Sequence, residues 1–513
     1  MRGPHNLLRL IRTGATFERT GAMRAVLDAV DAPPRLRVAA RLMGWPWRWL
    51  GYKGDPALPP ITRAITALGP AYVKFGQILS TRADVVGPEL ALQLRLLQDR
   101  LPPFPTEIAK HTIQAEFRQP VDQLFSEFSE PVAAASIAQV HRARVRATGQ
   151  DVAVKVIRPG IAAAFRRDID AFHFAAGIIE WLSPGSRRLR PRDVVRHFES
   201  TVTAEQDMRL EAANASEFAE NTKDDPGFAI PRPHWELSSR RVLTSDWAEG
   251  LPMGDRDALV AAGHDTARIA ARVIQLFLQH ALRDGFFHAD MHHGNLKVAA
   301  NGDVLAYDFG IMGEIDEYTR RVYAEILYGF IQRDYRRVAR VHFEAGYVPR
   351  DRDEAQFARA LRAVGEPIFG ADATRISMAN LLAYLFEVTE RFGMRTQTQL
   401  ILLQRTMVVV EGVARSVDPQ VNIWSAAKPV VSDYIRSSLG PKALAGDMAR
   451  VAQTVGRFGP LLPQIVERAL WERVHPEDIP APQPVAVRQG APVWLTVVLA
   501  LGAGAALGLA VAG

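Results

Sequence analysis

Three hydrophobic patterns divide the chain. From Ile61 to Ala109 apolar residues recur at helical spacing and are cut by prolines and glycines, as in LGPAYVKFGQILSTRADVVGPELALQLRLLQDRLPPFP. The pattern then shortens to alternation in LFSEF, SIAQVHRARV and DVAVKVI, with ATGQ (Ala147 to Gln150) as a hairpin turn. In DVAVKVI the alternation places Ala153, Lys155 and Ile157 on one face of a strand. Helical spacing returns over 161–182 and from Pro191 to about Asn221. RVLTSDWAEG reads as a strand with a polar link. From there to about residue 470 the chain is mostly helical, interrupted by DVLAYDFG (Asp303 to Gly310). A short strand-rich part followed by a helix-rich part predicts an α+β, two-lobed fold.

The third pattern is unbroken. APVWLTVVLALGAGAALGLAVAG, Ala491 to Gly513, holds no charge and is long enough for a bilayer-spanning helix, which needs about 20 such residues. Ala500, Gly504, Gly508 and Ala512 form one small face suited to close packing with a second copy. A Pro/Ala-rich stretch, DIPAPQPVAV, precedes it as a linker.

Composition narrows the chemistry. There is no cysteine, which excludes disulfides and thiolate metal sites and fits a reducing compartment. The net charge of +6 is concentrated at the start, where residues 1–60 hold nine arginines and a lysine among Leu, Ile and Trp. Such a segment suits a helix on anionic lipid; a solvated or packed helix is the plainer alternative. No nucleic-acid-binding module accompanies the charge.

Phosphoryl transfer needs cations on the phosphates, two metal-holding oxygens and a carboxylate near the acceptor. Lys155 in VAVK, His288-Ala-Asp290 with Asn295 five residues on, and Asp308-Phe-Gly310 occur in kinase order with kinase-like spacing. Each motif alone is weak; three in order are specific. A zinc site on His288 and His292 is the rival, but Gly294 breaks the segment and no metalloprotease glutamate precedes it. In the helix predicted over 191–221, Glu205, Asp207 and Glu211 offer acids for the lysine, with Asp207 and Glu211 facing the same way.

These residues resemble the UbiB family of atypical protein-kinase-like proteins, whose relatives support coenzyme Q synthesis. The likeness runs from about Leu68 to Gly313. Lys74, Gly76 and Gln77 match the family's K-x-G-Q element, PVAAASIAQVH its alanine-rich loop, and EQDMRLE its E-x-D element with the lysine-pairing Glu211. The resemblance implies ATP and Mg²⁺ as cofactors, with Asp290 and Lys155 catalytic and Asn295 and Asp308 on the metal. Val132, Ala133, Ala134, Ala135, Ser136, Ile137, Ala138, Gln139 and Val140 would line the nucleotide, with Lys155 and Glu211. Lys74, Gly76, Gln77, Glu205 and Asp207 would form a regulatory lid, with Lys74 within ion-pair reach of the two acids. Alanine in place of glycine restricts close backbone approach to phosphate, so the expected nucleotide pose is unorthodox. HADMHHGN also departs from the family's HADPHPGN, and losing two prolines loosens that loop.

The expected division is a basic helical segment (1–60), a helical extension covering the active site (61–115), an N-lobe (116–250), a helical C-lobe (251–475), a linker (476–490) and a transmembrane anchor (491–513). The expected activity is an ATPase or small-molecule kinase at the inner membrane, its catalytic part facing the cytoplasm. Lipid, quinone-precursor-like molecules and quinone-synthesis enzymes are the candidate partners, with a homodimer through 491–513 and no nucleic acid. A protein kinase acting in trans is the second reading, disfavoured because no A-P-E element follows DFGIMG. A nucleotide-binding scaffold for lipid-modifying enzymes is the third.

Overall fold

The computed structural model describes residues 4–29, 45–80, 103–135, 137–182, 191–370 and 398–438, with a few isolated positions besides. In chain order the strands are β1 (Phe125–Ala134), β2 (Ala138–Val145), β3 (Asp151–Ile157), β4 (Phe228–Ala229), β5 (Val242–Asp246), β6 (Leu251–Pro252), β7 (Phe286–His288), β8 (Leu296–Val298), β9 (Val304–Ala306) and β10 (Met312–Glu314). The described residues fall into two compact units. The first runs to Leu210 and takes in His234–Asp246; the second holds Glu211–Pro233 and the chain from Trp247 onward.

In the first unit an antiparallel sheet runs β1-β2-β3-β5. Val152, Val154 and Val156 point to one face of β3 and are fully buried with Ile113 and Phe125. Each such side chain contributes roughly 1.5–3 kcal/mol by leaving water. The opposite face carries Ala153 and Lys155, both half-buried, as the alternation predicts. Gly149, at φ +70°, closes the expected turn between β2 and β3. The alanine-rich stretch is less of a loop than its composition implies. β1 continues through Pro131 to Ala134, leaving Ala135–Ile137 between the strands. Register shifts flank Pro131, as expected for a proline confined to an edge strand.

The helices of this unit include α1 (Pro4–Thr20), α2 (Ala22–Ala29), α3 (Pro60–Leu68), α4 (Pro70–Ser80), α5 (Thr106–Phe117), α6 (Ile161–Leu182) and α7 (Pro191–Glu205). Gly69, at φ +110°, separates α3 from α4. Phe75 on α4 stacks on Phe172 of α6 at 4.9 Å and meets Phe198 of α7 edge-on at 5.0 Å. Gly76 packs tightly: a Cβ there would lie 2.5 Å from a methyl of Leu97, which would have to shift.

The helix expected over 191–221 breaks in two. It stops at Glu205, and α8 (Met208–Thr222) starts after Asp207, whose carboxylate accepts from the Arg209 backbone at 3.2 Å. Asp207 therefore sits before the helix, as residues of its type favour. It does not share a helical face with Glu211.

The second unit is built around α9 (Thr266–Gln279), whose Ile269, Ala270, Val273, Ile274 and Phe277 are buried. α10 (Glu317–Ile331), α11 (Tyr335–Glu344), α12 (Glu354–Gly370), α13 (Thr398–Val417) and α14 (Ile423–Ser438) are further described helices of this unit. Its strands form a β4-β9-β8-β6 sheet and a β7-β10 pair. The hairpin turn expected at Asn301-Gly302-Asp303 joins β8 to β9, with Gly302 at φ +87°. Below β7, Asp225 accepts hydrogen bonds from Gln279, His280 and Arg283. Burial alone would raise this carboxyl; the bonds from His280 and Arg283 hold it at about 2. Arg283 also donates to the Asn221 carbonyl, tying the end of α8 to the turn that leads into β7.

Among the described residues no helix is long and apolar enough to cross a membrane. The anchor expected at 491–513, the linker before it and Ser136 lie outside the described residues.

Candidate phosphoryl-transfer site

The predicted site residues are distributed over both units. The alanine-rich hairpin, Lys155 and the Lys74 cluster belong to the first, while Glu211, Asp290, Asn295 and Asp308 belong to the second.

In the second unit β7 delivers His288 into a wholly buried position, and burial lowers its imidazole below the ordinary histidine value. Its Nδ1 accepts from the Asp290 backbone at 3.1 Å, which places the proton of the neutral ring on Nε2. The chain then turns through Asp290, which stays half-exposed. Asn295 Nδ2 donates to the Asp290 carbonyl at 3.1 Å, so its amide oxygen is turned the other way. Gly294 N–H donates to His292 Nδ1 at 2.9 Å, and a Cβ at 294 would come within 2.8 Å of that ring. A side chain at 294 would thus displace the His292 ring from this bond.

Hairpin β8–β9 pairs Leu296 with Ala306 and brings Asp308 back beside the segment it left. Asp308 Oδ1 accepts from Gly310 N–H at 3.1 Å. Phe309 is buried against His288 (5.7 Å between rings) and Phe218 (5.9 Å), and its carbonyl accepts from Asn214 at 3.0 Å. α8 is therefore bonded to the Asp308-Phe-Gly segment, and Glu211 lies buried in its first turn. From the other side Thr406 of α13 donates to the Ala289 carbonyl at 3.1 Å. Asn214, Thr406 and Tyr307 are supports that sequence reasoning missed, because each serves a backbone carbonyl.

The donor set fits Mg²⁺. One amide oxygen and one carboxylate are hard oxygen ligands of the kind that Mg²⁺ takes. Zinc does not fit: among the described residues no group of three or more His, Asp or Glu could hold a metal. His288 is occupied by its backbone bond and His292 by its cap on Gly294.

In the first unit Lys74 Nζ lies 2.8 Å from Glu205 Oε1, with both side chains largely buried. The expected ion pair is present with one of the two acids. Asp207 instead takes Arg209, at 2.9 and 2.6 Å, which holds its carboxyl below the ordinary range. Gln77 sits half-buried on α4 beside Lys74. Within the alanine-rich hairpin Val132 and Ala133 are exposed. Gln139 is fully buried, and its amide is used on the Phe104 backbone (2.9 and 3.1 Å) and on His141. Its side chain ties the hairpin to the Phe104 backbone.

The ABC1 atypical kinase-like domain model matches residues 96–342, and the UbiB helical domain model matches 361–422. A Marinobacter nauticus protein named "Probable protein kinase UbiB" is 40% identical, covering 80% of this chain and 76% of its own. An Azotobacter vinelandii protein of the same name is 37% identical, covering 92% and 87%. Among solved structures, a complex of Mycobacterium tuberculosis Rv3197 with erythromycin is 25% identical with a TM-score of 0.50, covering 64% of this chain and 83% of that one.

The Lys74–Glu205 pair gives a stability prediction. Lys74→Met removes the cation from a largely buried carboxylate and should cost about 3–5 kcal/mol. The Lys74→Met/Glu205→Leu double variant should recover most of that loss in denaturant titration. Additive losses would show that the two side chains do not act as a pair.

Proposed function

Because the chain belongs to the UbiB family of ABC1 atypical kinase-like proteins, we propose that it is a membrane-anchored ATPase or small-molecule kinase supporting ubiquinone synthesis. Lys155 neutralises the nucleotide's α- and β-phosphates. Asn295 and Asp308 hold Mg²⁺, which when bound supplies positive charge to the phosphate oxygens. Asp290 takes the proton from the attacking water or hydroxyl. His288 fixes the backbone at Asp290, and the Lys74–Glu205 pair fixes α4 within the first unit.

The observation favouring a small acceptor is the shortness of the segment after Asp308-Phe-Gly. Ile311 to Asp316 is consumed by β10, which pairs with β7, and by the Asp316 cap of α10. No extended stretch remains between Gly310 and Glu317 on which a peptide could lie. The neighbouring Mycobacterium tuberculosis fold is seen with erythromycin, a bulky small molecule, and a quinone-precursor-like phenol is the comparable class here. Segment 491–513 holds the catalytic part at the cytoplasmic face of the inner membrane, assisted by the basic N-terminus.

Three outcomes test this. The full chain with liposomes should hydrolyse ATP, respond to quinone-like phenols and ignore peptides. Asp290→Asn should lower turnover by roughly 10²–10⁴ with little change in nucleotide affinity. Full turnover in that variant would remove Asp290 from the chemistry. Truncation after Val487 should release much of the protein from membranes, and salt-resistant association of the truncated chain would place the anchor elsewhere.

A further inference from the structure

The loop that presents Asn295 has an extended residue at His292 (φ −83°, ψ 162°), followed by a single 3₁₀ turn over His293–Asn295. That is the backbone a proline at 293 would impose, through its own fixed φ and its restriction of the residue before it. This chain has histidine there and methionine at 291, so no ring fixes the loop.

Tyr307 supplies the missing constraint. Its hydroxyl donates to the Gly294 carbonyl, and its backbone N–H donates to the Asn295 carbonyl at 3.3 Å. The ring has its own fixture. Lys297 Nζ lies 5.4 Å from its centroid and 5.3 Å from that of Trp247, and donates to the Ala248 carbonyl at 2.8 Å. Tyr307 immediately precedes Asp308, so one residue braces the turn bearing Asn295 and the start of the segment bearing Asp308.

We propose that Tyr307 is a positioning residue whose hydroxyl replaces proline rigidity in the catalytic loop and sets Mg²⁺ affinity through Asn295. The proposal rests on Asn295 and Asp308 being the metal ligands.

Tyr307→Phe tests it, because the ring and its Lys297 contact are kept and only the hydroxyl is lost. Binding of a fluorescent ADP analogue to the full chain is followed against Mg²⁺ concentration. The half-saturating Mg²⁺ concentration should rise on the order of three- to tenfold, the size of one lost hydrogen bond. Metal-free nucleotide affinity and the thermal midpoint should hardly move, and amide exchange at Gly294 and Asn295 should quicken. Adding His293→Pro to Tyr307→Phe should restore the Mg²⁺ requirement, since no backbone bond from His293 N–H has to be broken. An unchanged Mg²⁺ requirement in Tyr307→Phe, or no rescue together with unchanged amide exchange, overturns the proposal. Asn295→Ala separates the two levels. If it leaves the Mg²⁺ requirement unmoved, the ligand assignment fails; if it raises the requirement while Tyr307→Phe does not, only the role of Tyr307 fails.

Discussion

One amide oxygen and one carboxylate can serve the same cation only if the backbone joining them holds its spacing. In this chain Asp308 is the thirteenth residue after Asn295. The spacing is set by the β8–β9 register, by Asn295 bonding the Asp290 carbonyl, and by Tyr307 bonding Gly294 and Asn295. Much of the second unit supports this segment. Buried Phe309 packs on His288 and Phe218, Thr406 reaches the Ala289 carbonyl, and the Asp225–Arg283 network holds the turn before β7. A hydrogen bond of this kind contributes only about 1 kcal/mol, but together they remove the freedom that would otherwise be lost when a ligand binds.

The first unit faces a different constraint. An ammonium taken from water needs a partner, and Lys74 has Glu205 at 2.8 Å. Phe75, the next residue, packs on Phe172 and Phe198 and fixes α4 against α6 and α7. The pair adds little net stability over apolar side chains of the same volume, but it specifies where α4 docks. The short segment after Gly310, in the second unit, is what disfavours a peptide acceptor.

Much of this was legible in the sequence, for identifiable reasons. Strict alternation in DVAVKVI gave the buried valine face and the outward Lys155, because β3 lies between two strands and one face must be apolar. Gly149 and Gly302 marked both hairpin turns by their positive φ. Other features were illegible. Helical periodicity runs on through Glu205 and Asp207, so the break appears only when Asp207 is seen capping α8. The alanines read as a loop, yet a bulged edge strand accepts Pro131 and carries them. Gln139 bonds a backbone group 35 residues earlier that no side-chain pattern encodes. The same blindness hid Tyr307 and Thr406.

The most direct measurement is nucleotide affinity of the full chain by calorimetry, with and without Mg²⁺, for the native protein, Lys155→Ala and Asp308→Asn. The account predicts Mg²⁺-dependent binding in the native chain, general weakening in Lys155→Ala, and loss of the Mg²⁺ dependence in Asp308→Asn. Unchanged affinity in both variants would contradict it.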